Sequence, residues 1–227
     1  MNDLIIYGLT FLAVIITGAA QAFITSTYKK YSEVENTKGM SGAQTARKIL
    51  DANGLSNVKV TEVSGYLSDH YDPSAKEVRL SSSNYNGKSI SGLSVAAHEC
   101  GHAIQDKENY TFLRLRASLV PFVNFSSYAG YLAITIGCIT GMIGIVKIGI
   151  LLECVILLFQ VVTLPVEIDA SKRALKEVEK YKYLNSSEFQ SGKTVLIAAA
   201  LTYVASVAST LIQILRLVFM FRRNDRD

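Results

Sequence analysis

Four apolar blocks constrain this chain more than any other feature. They cover 4–23, 118–139, 143–165 and 195–220. Each reaches the roughly 20 residues that a helix needs to cross a bilayer. The chain is 49% hydrophobic over 227 residues, with a mean hydropathy of +0.26, and these blocks hold the excess. Inside lipid every backbone polar group needs an internal partner, so such blocks fold as helices. The pattern predicts a mainly α, polytopic membrane protein with about four transmembrane helices. Lys147 and Glu153 interrupt the third block. Lys147 lies near one end, where a lysine snorkels to the interface. The first block follows Met-Asn-Asp, with no positive region before it and no small-residue cleavage site before Tyr28-Lys29-Lys30. It reads as a retained anchor rather than a signal peptide.

The longest polar stretch, about 26–117, lies between the first two blocks. Ser41 opens a short helix over 43–52, closed by Asn53-Gly54. Residues 58–63 alternate like a strand, and 77–80 form a second. Asp69-His70-Tyr71-Asp72-Pro73 is turn-rich, and the Ser/Asn/Gly run 81–92 reads as a loop. The expectation is a small α+β, zincin-like unit with too few apolar residues for a large core of its own. The divisions are then 1–25 for the first span, 26–117 for this unit and 118–165 for two further spans. A charged helix follows over 166–194, and 195–227 hold the last span and a basic tail.

Within the polar unit stands His98-Glu99-Cys100-Gly101-His102, an H-E-x-x-H pentad on a predicted helix that Ser89 or Ser91 caps. Positions i and i+4 share a helix face, so both imidazoles point the same way, as two ligands of one Zn²⁺ require. Glu99 projects beside them, where a carboxylate takes a proton from a zinc-activated water. The chain has only three histidines, and two are in this pattern. Gly101 leaves room for another element to approach beside the ligands. Gln105-Asp106-Lys107 reads as the return to polar surface. Cys100, Cys138 and Cys154 make no disulfide framework and read as free structural thiols.

A catalytic zinc site takes three protein ligands and one open position. The pentad supplies two. His70 is the remaining histidine, and Glu167 and Asp169 follow Pro165 just past the third block. An acidic pair there also fits a helix start favoured by the macrodipole. His70 has two readings: a donor to the oxyanion of a tetrahedral intermediate, or part of a structured turn in which Asp72 bonds the backbone before Pro73.

Charge sets the orientation. Lys29 and Lys30 follow the first block, Arg114 and Arg116 precede the second, and Lys172, Arg173, Lys176, Lys180, Lys182 and Lys193 separate the third from the fourth. The positive-inside rule places these segments, and with them the pentad, on the cytoplasmic side of the cell membrane. Arg216, Arg222, Arg223 and Arg226 run against it, since four crossings put that end outside. The net charge of +4 includes no basic stripe with interleaved aromatics, which argues against a nucleic-acid partner.

The pentad, Asp69-His70-Tyr71-Asp72-Pro73 and Leu164-Pro165-Val166-Glu167-Ile168-Asp169-Ala170-Ser171 together resemble the YugP-type neutral zinc metallopeptidases, bacterial integral membrane proteins of the gluzincin kind. The order of motifs and the flanking blocks match over nearly the whole chain. A looser likeness extends to the HtpX-like membrane proteases, whose Glu-x-x-Ala-Asp segment is matched by Glu167 to Ser171 with serine in the last position. The resemblance implies that Glu167 is the third ligand, with one Zn²⁺ per chain. The serine leaves the carboxylate that orients a histidine to be found elsewhere, and Asp169 is the candidate. The expected function is a membrane-embedded zinc endopeptidase with His98, His102 and Glu167 on the metal and Glu99 as general base. Its partners are the lipid bilayer and a peptide or membrane-protein substrate, laid along an edge strand at 58–63 or 77–81. The alternative is a non-catalytic membrane protein with a degenerate or structural zinc site. A transporter using Glu153 and Lys147 is disfavoured by the lack of an internal repeat.

Overall fold

The structure, a computed structural model, describes residues 2–222; the side chains of Asn2, Asp3 and Arg222 and the tail residues Arg223 and Arg226 lie outside what is described. The elements in chain order are α1 (Asn2–Ser32), α2 (Gly42–Ala52), β1 (Lys59–Val63), β2 (His70–Asp72), β3 (Glu77–Ser81), α3 (Ser82–Asn86), α4 (Ile90–Lys107), α5 (Thr111–Thr140), α6 (Ile143–Lys180) and α7 (Ser186–Arg222). They fall into two compact units. One draws on 1–21, 114–164 and 201–227, the other on 22–113 and 165–200.

The first unit is helical. α1, α5, α6 and α7 are long and apolar enough to cross a membrane. Their outer faces carry large apolar side chains that water would not tolerate together: Phe125 is 68% exposed, Tyr131 70% and Ile139 80%. Every one of the four helices outruns its apolar block. α6 is the clearest case, since 38 residues rise about 57 Å against a hydrocarbon thickness of about 30 Å. Pro165 lies inside α6, which continues through it to Lys180. Between α5 and α6, Gly141 takes a left-handed φ of 71°. The two helices then pack closely. A Cβ on Gly149 would lie 2.5 Å from Ile134 Cγ1 and 3.1 Å from its backbone nitrogen.

The second unit buries a hydrophobic core. α2 starts from a capping box in which Ser41 accepts from the Gln44 N–H and the Gln44 side chain accepts from the Ser41 N–H. Its buried face (Ala46, Ile49, Leu50) packs with Leu93, Ala96 and Ala97 of α4. The polar stretch alone is short of apolar residues, and Ala174 and Val178 of α6 and Leu196 of α7 join this same core. β1 pairs parallel to β3, and β2 pairs antiparallel to β3 with His70 opposite Arg79.

Two local expectations change. The turn-rich 69–73 stretch contains strand β2, because β3 offers it a ladder that the isolated sequence does not show. The supposed loop 81–92 holds α3 and the first residues of α4. The sheet order β1-β3-β2 also puts β3 in the middle, hydrogen-bonded on both sides, so 77–81 has no free edge for a peptide.

Gly149→Ala tests the α5–α6 packing. Overpacking of this kind costs about 1–3 kcal/mol. The expected result is a lower thermal midpoint in detergent, and an unchanged midpoint would contradict the close approach.

Candidate metal centre

α4 begins where Ser89 accepts a hydrogen bond from the Gly92 N–H, and it runs 18 residues to Lys107. It is buried on most sides, which suits a helix rich in alanine and glycine. Gly101 faces α6 at very close range. A Cβ there would meet the Ala170 carbonyl oxygen at 2.4 Å and its Cα at 3.1 Å. Only glycine allows the two backbones this near, as the pentad anticipated. One turn before Ala170 on α6 stands Glu167, which the approach sets against the two histidines.

The donor atoms converge. His98 Nε2 lies 3.3 Å and His102 Nε2 3.6 Å from the same Glu167 oxygen, Oε2. One ligand atom from each of the three residues falls within 4.8 Å of the others. Tetrahedral donors about 2.0–2.1 Å from a shared Zn²⁺ stand roughly 3.3 Å apart, so the spacing fits that ion. The imidazole rings are edge to face, with centroids 4.7 Å apart.

The tautomer of His102 is fixed from behind. Its Nδ1 is 3.0 Å from Gln105 Oε1. Gln105 Nε2 donates to the Val166 carbonyl at 2.8 Å and to Asp169 Oδ2 at 2.9 Å. Both of those partners only accept, so the amide cannot be flipped, and its oxygen must accept from His102 Nδ1–H. In the neutral ring Nε2 then presents a bare lone pair to the Glu167 oxygen, whereas the imidazolium donates to it. Two acceptors facing each other at that distance call for a cation or a shared proton, which makes the donor set a fit for a metal. On the other ring, His98 Nδ1 lies 3.1 Å from Ser171 Oγ.

Asp169 therefore reaches the histidine through Gln105 rather than directly. It is itself held by Arg173, whose Nη1 lies 2.6 Å from Glu108 Oε2. Gln105 is the residue that sequence reasoning misplaced. It is fully buried, not the first step back to surface, because Val166, Asp169 and His102 satisfy its amide. Its one sequence signal is its spacing: three residues after His102, it shares that face of α4.

Electrostatics follow from this packing. Burial alone would raise the Glu167 carboxyl, but the bonds to His102 and His98 outweigh it and hold the group well below the usual carboxylate range. Burial alone would lower His102, yet the bond to Glu167 and the charge of Glu99 prevail and raise it above the ordinary imidazole value. Glu99 is 8% exposed, and among the described residues no hydrogen bond or ion pair engages its carboxylate. Cys100 points elsewhere, its Sγ 3.6 Å from the Ala46 carbonyl, and burial pushes its thiol up, away from reactivity.

His70 sits exposed on β2, with Nδ1 2.8 Å from the Ser68 carbonyl. A carbonyl only accepts, so Nδ1 carries the proton and the neutral ring offers an acceptor, not a donor, at Nε2.

A family model described as "Putative neutral zinc metallopeptidase" matches residues 6–222. The chain is also 44% identical over 219 residues to the "Putative membrane protease YugP" of Bacillus subtilis (strain 168), covering 96% of this chain and 97% of that one. No solved structure matches.

Two outcomes are expected of this geometry. Metal ligation needs neutral His102, and its raised pKa means that protons compete from above the ordinary imidazole value downward. Zinc affinity, followed by calorimetry across pH, should therefore weaken on acidification and be restored at higher pH, with proton release on binding. Gln105→Leu should lower zinc affinity about 10- to 100-fold, the usual cost of losing an orienting partner, while the fold, read by circular dichroism, persists.

Proposed function

The chain belongs to the putative neutral zinc metallopeptidase family, and on that premise we propose a membrane-embedded zinc endopeptidase, multi-pass in the cell membrane with its site on the cytoplasmic side. The observation that carries it is the convergence of His98 Nε2 and His102 Nε2 on Glu167 Oε2, at 3.3 and 3.6 Å, beside the Glu99 carboxylate, which has no hydrogen-bond or ion-pair partner among the described residues. His98, His102 and Glu167 would hold one Zn²⁺. The metal, when bound, supplies a Lewis acid that polarises the scissile carbonyl and acidifies water. Gln105 holds His102 in the tautomer that keeps Nε2 available, and Asp169 holds Gln105. The Glu99 carboxylate takes the proton from the attacking water and returns it to the leaving amine. Three protein donors leave one coordination position for water or substrate, whereas a structural site would be closed by a fourth, and the described residues group only three.

The substrate is a peptide or a membrane protein presented in extended form. β2 has a free edge, and it is tied to α4 by the bond from Tyr71 Oη to Asp106 Oδ2 at 2.6 Å. A peptide adding to that edge runs beside the pentad helix. His70 on the same strand would serve an oxyanion only as imidazolium, since Ser68 holds its Nδ1. The cytoplasmic placement is supported by the basic residues at the end of α1 and along the latter part of α6, among them Lys29, Lys30, Lys172 and Lys176.

Glu99→Gln separates chemistry from binding. The variant should hold zinc as the parent does and lose about 10²- to 10⁴-fold in peptide cleavage, the range for general acid–base catalysis. Full cleavage by a zinc-loaded variant would sink the mechanism.

A further inference from the structure

Arg216 is a charge that neither the metal site nor the topology explains. It lies on α7 six residues before Arg222, about 9 Å of helix from that end, among Leu215, Leu217 and Val218. An arginine inside a membrane span is costly and needs a partner. Neither α1 from Leu4 onward nor α7 after Phe189 contains an acidic residue. Among the described residues no ion pair reaches Arg216. Its Nη1 lies 3.3 Å from Thr10 Oγ1 on α1, and its Nε is buried with no hydrogen-bond partner.

Beside it opens a cleft of about 170 Å³ between α1 and α7, lined by Thr10, Ala13, Thr17, Ser209, Gln213 and Arg216 among others. The residues pair in opposite chain directions, so the cleft runs along two antiparallel helices. Arg216 and Thr10 mark the end near the α1 start and the α7 finish. Thr17 and Ser209 mark the deeper end, about 10 Å away. The threonine hydroxyls are spent on their own helix: Thr10 donates to the Ile6 carbonyl at 2.9 Å and Thr17 to the Ala13 carbonyl at 2.8 Å. Leu9, Ala13, Val14 and Ile212 supply the apolar part of the lining.

We propose that this cleft binds an anionic phospholipid, with its phosphate on the Arg216 guanidinium and an acyl chain along the α1–α7 groove. A guanidinium fork matches phosphate oxygens, and among the described residues only Nη1 of Arg216 has a hydrogen-bond partner. The apolar side chains of Leu9, Ala13, Val14 and Ile212 along the groove suit an acyl chain. They do not suit an extended peptide, whose backbone would find few partners there. The depth also fits, because arginine reaches toward the interface where phosphates lie. The sequence adds Arg222, Arg223 and Arg226 just beyond, which favour an acidic headgroup. The proposal rests on α1 and α7 lying in a membrane and is independent of the metal site.

The test uses the full chain in detergent, titrated with phosphatidylglycerol and followed by native mass spectrometry and thermal midpoint. One lipid per chain should be retained and should raise the midpoint. Arg216→Gln should weaken retention at least about tenfold, as loss of charge-assisted hydrogen bonds implies. Arg216→Lys, which keeps the charge and guards against a misfolded variant, should weaken it less. Equal retention by Arg216→Gln overturns the proposal, as does equal retention by the parent of a diacylglycerol with the same chains. Displacement of the lipid by inorganic phosphate alone, or by an apolar peptide with a free C-terminal carboxylate, would reassign the cleft and overturn it as well.

Discussion

The close approach of α4 and α6 at Gly101 and Ala170 is the contact on which the candidate site depends. It fixes the separation of two helix backbones at a distance that no side chain permits. Everything polar nearby is arranged across that seam: Glu167 against His98 and His102, Gln105 against Val166 and Asp169, Ser171 against His98. With the imidazoles neutral the arrangement is unfavourable in isolation, because a buried carboxylate then faces the lone pair of His102 Nε2. Apolar packing of Ala96, Ala97, Ala103, Ala174 and Val178 holds the helices together and offsets that cost. A cation would remove it, so metal binding and the α4–α6 contact support each other.

The site is reinforced in layers, and the layers differ in what they do. Glu167 is the donor that α6 contributes, and its carboxylate is charged because two imidazoles hold it so. Gln105 determines which nitrogen of His102 faces the donor, a task that a carboxylate would perform with an added charge. Using an amide here leaves the negative charge one step farther away, on Asp169, where Arg173 balances it. The effect is that His102 is oriented without a second carboxylate against its imidazole. Ser171 likewise stands beside His98 without adding a charge.

Much of this was legible in the sequence because it is local. Helical spacing puts His98 and His102 on one face, a serine two residues before Ala43 caps α2, and runs of apolar residues mark four long helices. Gly101 was legible as room for a neighbour, although not which neighbour. What escaped depends on partners far along the chain. Gln105 looks like surface until Val166 and Asp169, more than sixty positions away, bury it and satisfy its amide. The stretch around His70 looks like a turn until β3 pairs with it, and β3 looks like an available edge until β1 and β2 flank it. Pro165 fits either a first turn or a kink by sequence, and only the continuous α6 decides between them.

Arg216 shows the same distinction between local and distant signals. Read as a loop charge, it joins Arg222, Arg223 and Arg226 and argues against the orientation that the other basic residues set. The positive-inside rule counts charges that flank a span, where each one resists translocation. Arg216 does not flank a span; it sits one and a half turns inside α7, against Thr10 of α1 and beside a cleft. A charge in that position meets a partner on α1 rather than a loop at the surface. Removing it from the topological count leaves three arginines near the chain end against the larger basic set around the metal site, and the conflict narrows without a change in the number of spans.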